Sequence, residues 1–362
     1  METLFLDPFN ILLIAGFIGF FMAFGIGAND VANSMGTSVG SKAITLKQAI
    51  IIAAIFEFLG AFLAGGEVTS TIRKGIVDPN LYTNDVNIFV MGMLSALLAG
   101  GTWLFIASLR GWPVSTTHSI VGAIIGFVLI SKGVDAVSWG KVGNIAMSWV
   151  TSPLFSGTLA FGLYISAKKL ILDRADPGKA AITYIPFYSF LVAVVISLVT
   201  ARKGLKHVGI EFSENEIYLF ILIFSVIVAI GTAFFLRKNK DKIMRDGGIE
   251  FAFGLLMVVS ASAMAFAHGS NDVANAIGPL AAIVSIVDTG VIGSKSSISP
   301  WVLLIGGIGI VFGLATIGSR VIATVGKKIT VLTPSLGFSA EMATASTVVA
   351  ATYLGFPIST TH

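Results

Sequence analysis

Ten stretches of this chain are apolar for long enough, or nearly long enough, to cross a lipid bilayer: 9–28, 44–65, 88–109, 114–131, 142–167, 181–201, 216–236, 250–267, 300–325 and 339–354. A helix needs about 20 such residues to span the hydrocarbon, and every backbone polar group must be satisfied inside the segment. Long uninterrupted runs therefore argue for helices and against a barrel. Only 12% of the residues are charged, against about 25% in an average soluble domain. The expected fold class is an all-α polytopic membrane protein. The start METLFLDPFN carries two acids and no Lys or Arg, unlike the basic start of a cleaved signal peptide, so the first run reads as a retained helix. The absence of cysteine removes disulfides, thiolate metal sites and Cys nucleophiles together. A net charge of +4 gives no warrant for a nucleic-acid partner.

Lys and Arg gather in AKKLILDRADPGK (167–179) and RKNKDKIMR (237–245), two spans apart and so on one side. By the positive-inside rule that side is cytoplasmic, which puts the N-terminus outside. Arg202, Lys203 and Lys206 in the intervening loop pull the other way. Two further stretches, 31–40 and 273–287, are apolar or small but too short to cross, and read as re-entrant or half helices.

Self-similarity is the most informative pattern. GANDVANSMG at 27 returns as GSNDVANAIG at 269, with seven of ten positions identical, and GWPVSTTH at 111 returns as GFPISTTH at 355, with six of eight identical. The offsets are 242 and 244, and a weaker echo pairs TIRKGI (71–76) with VGKKIT (325–330). The chain is thus a duplication: residues 1–131 form a first transport repeat, 132–249 a block of linking helices, and 250–362 a second repeat. The copies open at the first and eighth spans, an odd difference, so they face opposite ways. Inverted repeats of this kind belong to secondary transporters, with substrate near the midplane and discontinuous helices around it.

The repeated residues have a chemistry. In a helical ANDVAN, Asn29 and Asn33 lie one turn apart with Asp30 beside them, and Asn271, Asp272 and Asn275 repeat the arrangement. A capping role would account for one copy in a soluble protein. A carboxylate between apolar spans costs several kcal/mol if unpaired, and its recurrence points to ion binding. In WPVSTTH, Ser115, Thr116 and Thr117 precede an apolar helix, and Ser359, Thr360 and Thr361 repeat them. A helix start with exposed N–H groups and hydroxyls suits an oxyanion. Carboxyl and amide oxygens suit hard cations. No Lys or Arg is shared by the two copies, since Leu354 holds the place of Arg110. The missing positive charge should come from solution, which leads to cation-coupled anion symport.

These motifs resemble the inorganic phosphate transporter (PiT) family, whose halves each carry a GANDVANA-like and a PxSxTH-like motif. The resemblance implies sodium- or proton-coupled phosphate uptake, an extracellular N-terminus, about twelve membrane segments and a multi-pass place in the inner (cell) membrane. It assigns Ser115, Thr116, Thr117, Ser359, Thr360, Thr361, Asn33 and Asn275 to phosphate, and Asn29, Asp30, Asn271 and Asp272 to sodium. Glu57 and Glu341 fall where the family carries acids, although Leu97 holds the first-half place of Glu341. His118 and His362 are candidates for proton carriage or for a hydrogen bond to the neighbouring helix start. His268 stands where the first copy has Ile26, and reads as structural. His118 is followed by an apolar helix and His362 by nothing, so the native chain is expected to continue.

Sodium as the coupling ion fits an oxygen-only cluster, because amides coordinate cations without titrating. No cofactor is expected. The alternatives are proton coupling, co-transport of a metal-phosphate complex, and a sulfate permease of the same fold. Phosphate is favoured over sulfate because it donates hydrogen bonds that the Asp and Asn oxygens accept. A Ser115–His118 intramembrane hydrolase needs its site once, not twice, and a passive anion channel would ignore ion gradients. The middle helices, not required by the repeat, suggest a homodimer.

Overall fold

The computed structural model describes residues 4, 6–66, 69, 78–201, 212–292, 298–328 and 331–362. Among the described residues the main helices are α1 (Pro8–Asn29), α2 (Val31–Gly40), α3 (Leu46–Ala64), α4 (Val86–Leu109), α5 (Thr116–Lys132), α6 (Trp139–Ala167), α7 (Pro177–Val199), α8 (Glu214–Lys238), α9 (Gly248–Thr289), α10 (Pro300–Gly313), α11 (Ser319–Lys328) and α12 (Pro334–Tyr353). Their starts follow local chemistry. Pro stands at the first helical position of α1, α7, α10 and α12, where its missing N–H costs nothing. Thr45 with Gln48 and Ser213 with Glu216 form capping boxes on α3 and α8. Among the described residues eight helical stretches are long and apolar enough to cross a membrane, and α5 adds a shorter one. The protein is a multi-pass membrane protein. Its linking helices α6 and α8 turn large apolar side chains outward, among them Phe155, Phe161, Ile227 and Phe234, as a lipid-facing surface requires.

α1 and α9 form the centre. α4 packs on α1 as α12 packs on α9, and α10 packs on α1 as α3 packs on α9. Glycine sets the second pair of contacts. A Cβ on Gly27 would sit on the Ile310 carbonyl, and one on Gly269 on the Glu57 carbonyl; likewise Gly313 meets the Phe24 carbonyl and Gly60 that of Phe266. These four approaches define equivalences: Gly27 with Gly269 and Phe24 with Phe266 at an offset of 242, Glu57 with Ile310 and Gly60 with Gly313 at 253. The halves are related by a two-fold operation, with α3 and α10 as counterparts. The weak echo at 71–76 and 325–330 lies mostly outside the described residues, as do Arg202, Lys203 and Lys206.

One expectation changes. The sequence separates 250–267 from a half helix at 273–287, but both belong to the single 42-residue α9. Backbone hydrogen bonding continues through the polar HGSND, since the ladder of main-chain bonds does not depend on side-chain polarity. At 1.5 Å per residue α9 is about 63 Å long, twice the hydrocarbon thickness. Pro279 interrupts its ladder instead, freeing the carbonyl of Asn275 from its partner four residues on. In the first half the break falls at Asp30, between α1 and α2, although Asp30 keeps right-handed helical angles.

Candidate functional site

The two Asn-Asp motifs meet the two STTH motifs in the middle of the molecule, and nearly every contact occurs twice. Asn29 donates from Nδ2 to the Trp112 carbonyl (2.8 Å) and to Ser108 Oγ (3.2 Å), and its Oδ1 accepts from the Val114 N–H (3.0 Å). Asn271 donates to the Phe356 carbonyl (3.2 Å) and to Thr352 Oγ1 (3.0 Å), the same places in the second half. Each amide therefore ties the loop before its STTH motif to the central helix. The Asn29 oxygen, expected to face sodium, accepts from a backbone N–H. Asn271 keeps a buried Oδ1 with no hydrogen-bond partner.

The acids come next. Thr360 Oγ1 donates to Asp272 Oδ2 (2.6 Å), and Asp30 lies against Thr116, its counterpart. Both carboxyl groups are about 1% exposed. The contacts one turn further along cross between halves. Asn33 Nδ2 donates to Thr361 Oγ1 (3.0 Å), and Asn275 Nδ2 to Thr117 Oγ1 (3.3 Å). Thr117 Oγ1 donates in turn to the Ile358 carbonyl (2.9 Å), and Thr361 Oγ1 to the Val114 carbonyl (3.3 Å). Reciprocal pairs of this form are what a two-fold axis generates. The STTH motifs thus sit against each other, each completed by the opposite half.

Ser115 is the N-cap of α5, its Oγ accepting from the His118 N–H (3.3 Å). Ser359 is 4% exposed and its Oγ has no partner. The His118 ring packs on Trp149 with centroids 3.7 Å apart and meets His362 edge-on at 4.8 Å, while His362 Nδ1 approaches the Trp149 carbonyl (3.3 Å). Both histidines therefore border the linking helix α6 rather than the acids.

Two buried polar clusters break the symmetry. Glu57 Oε2 lies 2.6 Å from His268 Nδ1, and its Oε1 accepts from Ser34 Oγ (3.1 Å). His268 Nε2 lies 2.9 Å from Asp272 Oδ2. At the symmetry-related position Ile26 and Ile310 stand in the places of His268 and Glu57. Glu341 accepts from Thr37, Ser38 and Ser260 hydroxyls at 2.5, 2.5 and 2.6 Å. The first half replaces Glu341 and Ser260 by Leu97 and Ile18, and the second replaces Thr37 and Ser38 by Pro279 and Leu280. Sequence reasoning set His268 aside as structural. Its one available signal was its position directly before a motif whose other copy is apolar there.

Buried polar atoms without partners are rare in folded proteins and each asks for an explanation. Among the described residues they concentrate here: Asp30 Oδ1, Asp272 Oδ1, Asn271 Oδ1, Asn275 Oδ1, Thr116 Oγ1, Ser359 Oγ and His268 Nε2. Carboxyl and amide oxygens and hydroxyls lie side by side, with no Lys or Arg buried among the described residues. Such a site accommodates an anion where its carboxyl groups are protonated or where a positive charge accompanies it.

The comparisons agree with this chemistry. The chain is 53% identical over 357 residues to a protein of Haemophilus influenzae described as a phosphate permease, covering 96% of this chain and 84% of that one. It is 43% identical over 367 residues to inorganic phosphate transporter 2-1, chloroplastic, of Arabidopsis thaliana, covering 95% of this chain and 62% of that one. A solved structure titled the sodium-dependent phosphate transporter superposes with a TM-score of 0.89 at 42% identity, over 98% of this chain and 87% of the other. Residues 26–362 match the Phosphate transporter family, and this duplicated membrane protein, with its buried acids and hydroxyls gathered at the two-fold axis, belongs to that family.

Proposed function

We propose that this protein carries inorganic phosphate across the inner membrane together with sodium, by alternating access between the two halves. The observation that carries the reading is the buried, two-fold arrangement of Asp30 and Asp272 against the two hydroxyl-bearing STTH segments, with no buried Lys or Arg among the described residues. Two carboxylates would repel phosphate unless cations accompany it, so the coupling ion completes the substrate's binding site. Asp30 and Asp272 are the sodium ligands in this reading, joined by the Asn271 oxygen. Thr116, Thr117, Ser359, Thr360 and Thr361 face phosphate with Asn33 and Asn275, and Ser115 holds the α5 start in place. The solved relative's title names sodium dependence for that protein, which supports sodium over protons here. Inverted halves with the site at their interface are the arrangement that rocking of one half against the other needs.

The test is radiolabelled phosphate uptake into proteoliposomes with sodium and proton gradients imposed separately, for wild type, Asp30→Asn and Asp272→Asn. Uptake should follow the sodium gradient and be lost in both variants. Uptake that follows a pH gradient and ignores sodium overturns the sodium assignment. Uptake that follows neither gradient makes the protein a passive pathway.

A further inference from the structure

The geometry points to a second kind of ion at the same place: Asp30, Asp272 and His268 form one buried seat for a divalent first-row transition cation of the zinc class. One ligand atom from each of the three residues can be chosen so that all lie within 4.8 Å of one another, and all three residues are buried. Ligands of a single such ion stand about 3–4 Å apart for bonds near 2 Å, so an inward movement of about 1 Å closes the set. The 2.9 Å separation of His268 Nε2 and Asp272 Oδ2 is already that of neighbouring ligands. Although this close, the pair lacks hydrogen-bond geometry, and Nε2, Asp30 Oδ1 and Asp272 Oδ1 are all buried without a hydrogen-bond partner. Behind the ring, Nδ1 meets the Glu57 carboxylate at 2.6 Å, and Ser34 donates to the other Glu57 oxygen. A carboxylate holding the far nitrogen of an imidazole is the usual support of a metal-bound histidine, because it fixes the tautomer and leaves the near nitrogen as a ligand.

The nitrogen decides the class of ion. Carboxylates alone suit sodium, magnesium or calcium, whereas imidazole raises affinity for zinc, cobalt, nickel and copper. It is offered once, because Ile26 and Ile310 occupy the symmetry-related places of His268 and Glu57. The seat therefore draws on both halves at once through Asp30 and Asp272. It shares these acids with the sodium reading but depends on His268, which that reading does not use. An ion held there competes with sodium for both carboxylates.

Zinc binding to the purified full chain, without a polyhistidine tag and in sodium- and phosphate-free buffer, is the direct test, read by calorimetry. Wild type should bind one zinc per chain. His268→Gln should weaken it about a hundred-fold or more, and Glu57→Gln about 10–100-fold as a support residue. Added sodium should weaken zinc binding to wild type. A monodisperse His268→Gln that binds zinc as wild type does overturns the proposal, as does zinc binding that disappears in His118→Asn or His362→Asn instead. Wild type that binds no zinc overturns it outright. These readings use binding alone. Failure of the sodium reading shows separately, as sodium-driven phosphate uptake that survives in Asp30→Asn and Asp272→Asn with a chelator present.

Discussion

Asn29 is the residue at which this structure departs most from an ion-binding reading of its motif, and two substitutions separate the possibilities. Asn29→Ala removes three bonds, to the Trp112 carbonyl, the Ser108 hydroxyl and the Val114 N–H. Side-chain hydrogen bonds between membrane helices average about 0.6 kcal/mol and reach about 1.7, so the loss is about 2 kcal/mol and at most about 5. Two of the three bonds fall on the loop that positions Ser115–Thr117. With 1.4 kcal/mol per tenfold, the phosphate half-saturation should rise about 30-fold while that for sodium stays within about two-fold. Asn29→Asp is the sharper test. A carboxylate is the better sodium ligand, but it cannot donate to the Trp112 carbonyl and would face it with like charge. If Asn29 is a tie, Asp there is worse than Ala for phosphate. The assay is phosphate uptake in proteoliposomes, titrating each ion at saturating concentrations of the other. Near-normal phosphate half-saturation with tightened sodium dependence in Asn29→Asp would refute the reasoning and restore Asn29 as a sodium ligand. Asn271→Ala loses two such bonds, about 1.2 kcal/mol, and should be milder at about eight-fold.

The crossed bonds of Asn33 and Asn275 predict that alanine at either raises the phosphate half-saturation by the same factor, within about two-fold; a tenfold difference would defeat the symmetric reading. Gly27→Ala and Gly269→Ala place a Cβ on the backbone of a neighbouring helix and should abolish folded yield in fluorescence size-exclusion. Gly126→Ala meets nothing within 4 Å and should match or exceed wild-type thermal stability, since Ala gains about 1 kcal/mol over Gly in a helix. Leu97→Glu buries an unpaired carboxylate in an apolar core and should unfold the protein, the cost being several kcal/mol. Glu341→Leu should remain folded, because the three hydroxyls it strands can turn to their own helix carbonyls; loss of folded protein in that variant would contradict this.

Much of this architecture was legible in the sequence because polar residues are costly between apolar spans, so each repeated one marks a place. The duplicated motifs, the linking block and the meeting of Asn-Asp with STTH follow from that economy of polarity. The sequence could not say which way an amide points: ANDVAN reads the same whether Asn29 faces a cation or a carbonyl. Nor could it pair His268 with Glu57, because that contact joins segments whose repeat offsets differ, 242 for one and 253 for the other, so a search at one spacing misses the partner. The continuity of α9 was hidden for a simpler reason. Side-chain hydropathy drops at HGSND, while the backbone ladder does not depend on it.

The crossed contacts of Thr117 and Thr361 have a consequence for descent. Each half holds its own acid but borrows a carbonyl and an amide from the other, so a single ancestral half could have built this cradle only as an antiparallel pair of identical chains. Such a pair must carry every residue twice, and a His268 with its Glu57, or a Glu341 with its Thr37 and Ser38, would have appeared at both ends. Joining the two copies into one chain removed that obligation. The difference between the two ends at these positions is therefore younger than the joining, whichever end changed, and it marks where the fused halves became free to differ.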